Sequence, residues 1–133
     1  MEARKLEPED YDMLVDWWKA WRWTPPTRDM LPENGECGVM ITDGATPVCA
    51  GFLYETNSKI AWIEFIISNL EYKDKAKRAE AIGVLIDVLT VVAKAGGFKL
   101  CYSISMNSPL TNAFIKSGYL PGAKNFTELI KHI

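Results

Sequence analysis

The run from Ile60 to Ser68, IAWIEFIIS, constrains the fold of this chain more than any other segment, being apolar at nearly every position with one charge, Glu64, in its middle. A strand that is apolar on both faces needs cover on both, so this run belongs at the centre of a sheet with a layer on either side. A carboxylate in such a strand is costly unless it is paired or protonated. Glu64 is therefore the most informative acid in the sequence.

The segments around it fit that demand. Glu2 to Leu6 is short and suited to open a sheet. Pro8 with Glu9, Asp10 and Asp12 marks a helix start, and Leu14, Trp17, Trp18 and Trp21 follow at helical spacing, giving an amphipathic helix with an aromatic face. Thr24-Pro25-Pro26-Thr27 is expected to end it, and a loop or short helix spans Thr27 to Gly35. Gly38 to Thr42 and Pro47 to Tyr54 read as strands joined through Asp43-Gly44, a hairpin signal. A polar connection, Asn69 to Lys75, leads into a long buried helix, Ala76 to Ala95, with Ile82, Leu85, Ile86, Leu89 and Val92 on one stripe and Gly96-Gly97 as its stop. Phe98 to Ser105 is expected as a strand, Pro109 to Ser117 as a short helix closed by Gly118, and Phe126 to Lys131 as a last strand. The order implies an α/β (α+β) layer architecture, with one core and one domain over residues 1–133.

Composition narrows the function classes. Apolar residues make up 48% of the chain and charged ones 24%, values of an ordinary globular domain, which excludes disorder and fibrous repeats. Fifteen Lys and Arg against seventeen Asp and Glu leave a net charge of −2, so no global positive field gathers phosphates. The one basic cluster, Lys73, Lys75, Lys77 and Arg78, stands out against that background. Cys37, Cys49 and Cys101 are widely spaced and far from the single histidine, His132, so neither a zinc site nor a disulfide framework is expected and the cysteines read as small buried hydrophobes. The charged start lacks the apolar core of a secretory signal, and no apolar window reaches the roughly 18 residues needed to span a bilayer. A cytoplasmic protein without membrane association is the expectation. Five tryptophans are present, four of them between Trp17 and Trp23; helical spacing assigns Trp17, Trp18 and Trp21 chiefly to the core.

The order of elements, with a long helix after a buried fourth strand and then a strand and a short helix ending in Gly-aromatic, resembles the GCN5-related N-acetyltransferase (GNAT) family. Two local patterns carry the resemblance. Arg78-Ala79-Glu80-Ala81-Ile82-Gly83 matches the family's Q/R-x-x-G-x-G/A loop at Arg78 and Gly83, with Ala81 in place of the first glycine, and the connection from Ile67 is longer than the family's. Asn107, Ala113, Phe114, Gly118 and Tyr119 match the Asn, short helix and Gly-aromatic that follow the fifth strand, with Phe114 where the family carries a tyrosine that reprotonates the CoA thiolate.

The resemblance implies a GNAT-like mixed central sheet with helices on both faces and an N-acetyltransferase that moves an acetyl group from acetyl-CoA to an amine of a small molecule, protein or nucleobase, without a metal. It implies that Phe65, Ile66 and Ile67 line the acetyl group through their backbones, that Lys75, Lys77, Arg78 and Gly83 meet the phosphates, and that Asn107 and Phe114 flank the pantetheine arm. Glu64 is the candidate general base, its pKa raised by burial, against the alternative of a surface ion pair. A phenyl ring donates no proton, so Tyr102 or Ser103 are candidate acids, with alternation allowing only one in the cleft and Tyr102 preferred. Trp21, Arg22 and Trp23 are expected to contact the acceptor or a partner, where an aromatic amine or planar base suits them. The rival is a catalytically inactive GNAT-like binding module that turns its Trp-rich face to a protein or nucleic acid. A different acyl donor, such as an acyl-tRNA, and a homodimer also stand open.

Overall fold

The computed structural model describes residues 1–133. Five strands, β1 (Glu2–Lys5), β2 (Val39–Asp43), β3 (Thr46–Glu55), β4 (Ile60–Ser68) and β5 (Leu100–Tyr102), form one sheet in the order β1-β2-β3-β4-β5. The first four are antiparallel neighbours and β5 lies parallel to β4. Three helices, α1 (Asp10–Ala20), α2 (Lys75–Ala95) and α3 (Ser108–Lys116), and two short 3-10 turns, Arg28–Met30 and Pro32–Gly35, complete the mixed α+β architecture.

The core has two parts because the sheet has two covered faces. On one, Leu14, Trp17 and Trp18 of α1 are buried against Leu6, Leu31, Met40, Ala50, Phe52 and Ile67. On the other, Ala81, Leu85, Ile86, Leu89 and Ala93 of α2, with Phe114 of α3, cover Ile41, Cys49, Leu53, Ala61 and Ile63. The tryptophans at helical spacing thus supply the buried face of α1. Gly38 shows how tightly the α1 face closes: a Cβ there would stand 2.4 Å from Leu6 and 2.6 Å from the buried Phe52 ring, so only glycine fits.

α1 starts at Asp10, whose carboxylate accepts the Glu7 amide and pairs with both guanidinium nitrogens of Arg4 at 2.8 and 2.9 Å. α2 begins under an Asp74 cap and stops at Gly96-Gly97, with Gly97 in the left-handed region at φ 84°.

Several expectations require correction. α1 ends at Ala20, before the prolines, because Arg22 turns left-handed (φ 61°) and the Trp23 amide donates back to the Trp18 carbonyl. β5 covers Leu100–Tyr102, shorter than the expected Phe98 to Ser105, since its ladder with β4 ends after three rungs. The last strand, Phe126 to Lys131, does not form, and Leu120 to Ile133 carries neither helix nor strand and is exposed. Its apolar residues Phe126, Leu129, Ile130 and Ile133 recur at i, i+3, i+4 and i+7, a helical period without the alternation a strand needs. Of the cysteines, Cys49 is buried, with its thiol pushed up to about 12 by burial, Cys101 is half-buried, and Cys37 is exposed on the chain's way into β2. None of the helices is long and apolar enough to cross a membrane.

Candidate active site

β4 treats its two neighbours differently. Along β3 it is paired from Ala61 to Ser68, whereas along β5 the register runs Ile60–Leu100, Ala61–Cys101, Trp62–Tyr102 and stops. Beyond Trp62 the two parallel strands part, leaving a wedge whose walls are the second half of β4 and the segment after Tyr102. One side chain crosses its narrow end: the Ser103 hydroxyl donates to the Ile63 carbonyl at 2.8 Å, taking up an acceptor the ladder has left free.

A bulge shapes the β4 wall. Between the pairs Phe52–Glu64 and Ala50–Ile67, β4 spends one residue more than β3, and Phe65 takes a left-handed φ of 55°. Bulges of this kind bend a strand and redirect its side chains. Here Phe65 turns toward Trp18 and Tyr54, with ring centroids 6.3 and 6.2 Å apart, while Ile66 packs on the α2 side and Ile67 joins the α1 side.

Glu64 sits at the point of divergence, one residue before the bulge. Its cross-strand partner Phe52 belongs to the α1 core, so the carboxyl lies on that face of the sheet. The only ion pair in the molecule is Arg4–Asp10; Glu64 is not in a surface ion pair. Burial pushes its pKa above the usual glutamate range, the negative charge of Glu128 adds to the rise, and a hydrogen bond from the Phe65 amide works against it. Tyr102 is on the same face, stacked on Trp62 with centroids 5.1 Å apart and half-exposed. Ser103 is committed to the Ile63 bridge.

The other sequence-derived residues divide. Lys73, Lys75 and Lys77 cluster, exposed, around the N-terminus of α2. Arg78 and Gly83 lie inside that helix, not in a loop before it: the Arg78 guanidinium donates to the Tyr72 carbonyl at 2.9 Å, and Gly83 faces open space. The first-turn amide of Lys77 donates to the Asp74 side chain at 3.1 Å, so this carboxylate holds one of the helix's free N–H groups. Asn107 caps α3, accepting from the Leu110 amide at 2.9 Å. Phe114 is buried in the α2 core, edge-on to Tyr119. Trp21 is held by a 2.8 Å hydrogen bond from its indole to the Ser68 carbonyl, with Trp23 stacked at 6.1 Å and half-exposed, so this pair fastens the end of α1 to the end of β4. Arg22 is the left-handed corner between them. His132 is exposed in the tail.

Sequence reasoning passed over two groups near the wedge. Asp74 was legible as an N-cap, an aspartate directly before the helical run. Glu128, whose charge acts on Glu64 from the C-terminal segment, had no local signal.

No family model matches the chain, and no curated protein matches it. Solved structures do. Glucosamine-6-phosphate N-acetyltransferase of Arabidopsis thaliana superposes with a TM-score of 0.67 at 11% identity, covering 98% of this chain and 98% of its own. An acetyltransferase of Trypanosoma brucei gives 0.64 at 13%, over 97% and 99%. N-acetylglutamate synthase of Neisseria gonorrhoeae, solved with coenzyme A and L-arginine, gives 0.70 at 11%, over 92% of this chain and 28% of that one. At these identities the likeness is one of fold: the chain has the fold of the GNAT acetyltransferases.

Proposed function

We propose that this chain is an acyl-CoA-dependent N-acyltransferase, with acetyl-CoA as donor and an amine as acceptor, working as one domain in the cytoplasm. The observation that carries this reading is the wedge between β4 and β5 with Glu64 at its mouth. A wedge between parallel strands exposes backbone groups that have lost their ladder partners. Groups of that kind can hold an amide-bearing arm and polarise a thioester carbonyl. The structural neighbours are acetyltransferases, and one of them was solved with coenzyme A, which supports an acyl-CoA as the occupant.

In this reading Glu64 accepts the proton that the amine releases as its nitrogen attacks the thioester carbonyl. The carbonyl–sulfur bond then breaks, and the CoA thiolate takes a proton, for which the Tyr102 hydroxyl is the candidate donor. A raised carboxyl pKa suits a base working near neutrality. Lys73, Lys75 and Lys77 face the donor's phosphates in place of an Arg78–Gly83 loop. Three cations around a helix N-terminus oppose the helix dipole and are at ease only with an anion among them. The exposed edge of Trp23 lies on the acceptor side.

Asp74 favours the rival. Its carboxylate already occupies part of the α2 N-terminus, where an anion would otherwise sit, and this is the arrangement of a GNAT-like binding module without a donor site. Titrating acetyl-CoA into the protein separates the two. The enzyme predicts calorimetric binding and a thermal shift, since a ligand at about 100 times its Kd stabilises by about 2.7 kcal/mol. No response at millimolar acetyl-CoA overturns it. With binding established, Glu64→Gln is expected to cut turnover by roughly 100-fold or more while leaving acetyl-CoA affinity nearly unchanged.

A further inference from the structure

Two apolar stripes remain uncovered in the single chain. The first continues β5: Leu100, Tyr102, Ile104 and Met106 alternate along the outermost strand and the segment after it, and all are exposed. Tyr102 stacks on Trp62, which fixes this stripe on the α1 face of the sheet, beyond the reach of α1. The second is the C-terminal segment, where Phe126, Leu129, Ile130 and Ile133 are exposed, Leu129 by 88%. Their i, i+3, i+4, i+7 spacing gathers them on one side of a helix. Asn125 followed by Glu128 three residues later is a helix-start pair, and Lys131 and His132 fall in what would be the last turn. Eight residues do not hold a helix in water alone, which accounts for the segment's lack of regular structure until its apolar side is covered.

We propose that the segment Asn125 to Ile133 folds as an amphipathic helix on the Leu100–Met106 stripe of a second copy of this chain, the two copies exchanging tails about a twofold axis.

The occupant follows from where the tail leaves the body. Tyr119 is pinned on the α2 side of the sheet by a 2.6 Å hydrogen bond with Thr90 and by its edge-on contact with Phe114. The stripe is on the opposite face. A tail turning back onto its own stripe has only Leu120 to Lys124, stiffened by Pro121, to round the sheet edge. That path also brings Glu128 toward Glu64, an approach of like charges. A partner's tail arrives from outside, running in the opposite direction, and meets neither constraint. Each copy carries both halves of the contact, so two identical docking events close the assembly, as an isologous dimer requires.

Sedimentation equilibrium of the full chain, from micromolar to sub-millimolar concentration, is the test, with far-UV circular dichroism on the same samples. A dimer whose helical signal rises with assembly is expected. Leu129→Asp on the tail and Leu100→Asp on the stripe should each weaken dimerisation by more than about thirtyfold, the size of a hot-spot loss. Both residues are exposed in the single chain, so melting of the monomer should not change. An equimolar mixture of the two variants retains one intact contact and should form a heterodimer that neither forms alone. A monomer at every concentration overturns the proposal, as does a dimer indifferent to Leu129→Asp. A monomer with exchange-protected amides from Phe126 to Ile133 assigns the tail to its own chain and also overturns it. None of these readouts depends on acetyl-CoA binding.

Discussion

The two edges of β4 make an instructive pair. Toward β3 the strand keeps its ladder over almost its whole length, with fully buried residues on both faces; toward β5 it keeps three rungs and then opens. One strand therefore serves as the centre of the fold on one side and the wall of a wedge on the other. The bulge at Phe65 reconciles the two by letting β4 bend away from β5 without losing β3. Stability should accordingly be sensitive on the β3 side and tolerant on the β5 side, and chemistry the reverse.

The largest test of that contrast is Phe52→Ala. The ring is fully buried opposite Glu64 and pressed against Gly38, and its loss should cost about 3–5 kcal/mol, read as a lowered denaturant midpoint. Gly38→Ala, which drives a methyl group into the same contact, should cost about 1–3 kcal/mol. If either variant melted like the parent, the packed side would be less committed than its geometry implies. On the open side, Ser103→Ala removes the hydroxyl bridge to Ile63, and a loss of about 1 kcal/mol is expected. A loss as large as that of Phe52→Ala would mean that the wedge is held shut by more than one bond.

Two acids sharpen the comparison through pH. Glu64 has a raised pKa in the folded state, so folding favours its protonated form. The ionised side chain disfavours the fold above that pKa, and the effect fades as pH falls. Glu64→Gln should therefore raise the melting temperature at neutral pH and lose this advantage toward acid. Asp10 is the opposite case. Its hydrogen-bonded pairing with Arg4 lowers its pKa, so its contribution is present above the usual aspartate range and lost as pH falls through the lowered value. Being partly exposed, the pair should contribute only about 0.2–1 kcal/mol, the smallest effect here. Melting curves of Asp10→Asn and Glu64→Gln across pH 3 to 8 should bend in opposite directions.

How much of this was legible in the sequence depended on whether the deciding interaction was local. Ile60 to Ser68 was read with its observed bounds, because continuous apolar character has few structural outlets. The hairpin at Asp43-Gly44 and the stop at Gly96-Gly97 were readable for the same reason: backbone freedom is a property of the residue itself. The end of α1 was not, since Pro25 and Pro26 were the visible breakers while the actual stop depends on Trp21 finding Ser68, distant in sequence. Arg78 and Gly83 matched a loop pattern, but Asp74 caps the helix first and carries both into its interior. Phe126 to Lys131 was read for its strand-forming residue types when its spacing was helical. At the site, burial of Glu64 followed from its neighbours, whereas the bulge beside it, set by pairing with β3, left no mark in the sequence.

That bulge also acts as a change of phase. Before it, the even-numbered residues Trp62 and Glu64 face α1; after it, the odd-numbered Phe65 and Ile67 do. Either half of β4 read alone keeps a regular alternation, and the extra residue is the splice between two reading frames. Removing that one residue would restore a single frame and an uninterrupted ladder with β3. Selection for stability alone would thus favour shortening β4 at the very place where its wedge begins, so the surplus residue is where a requirement other than folding is written into this chain.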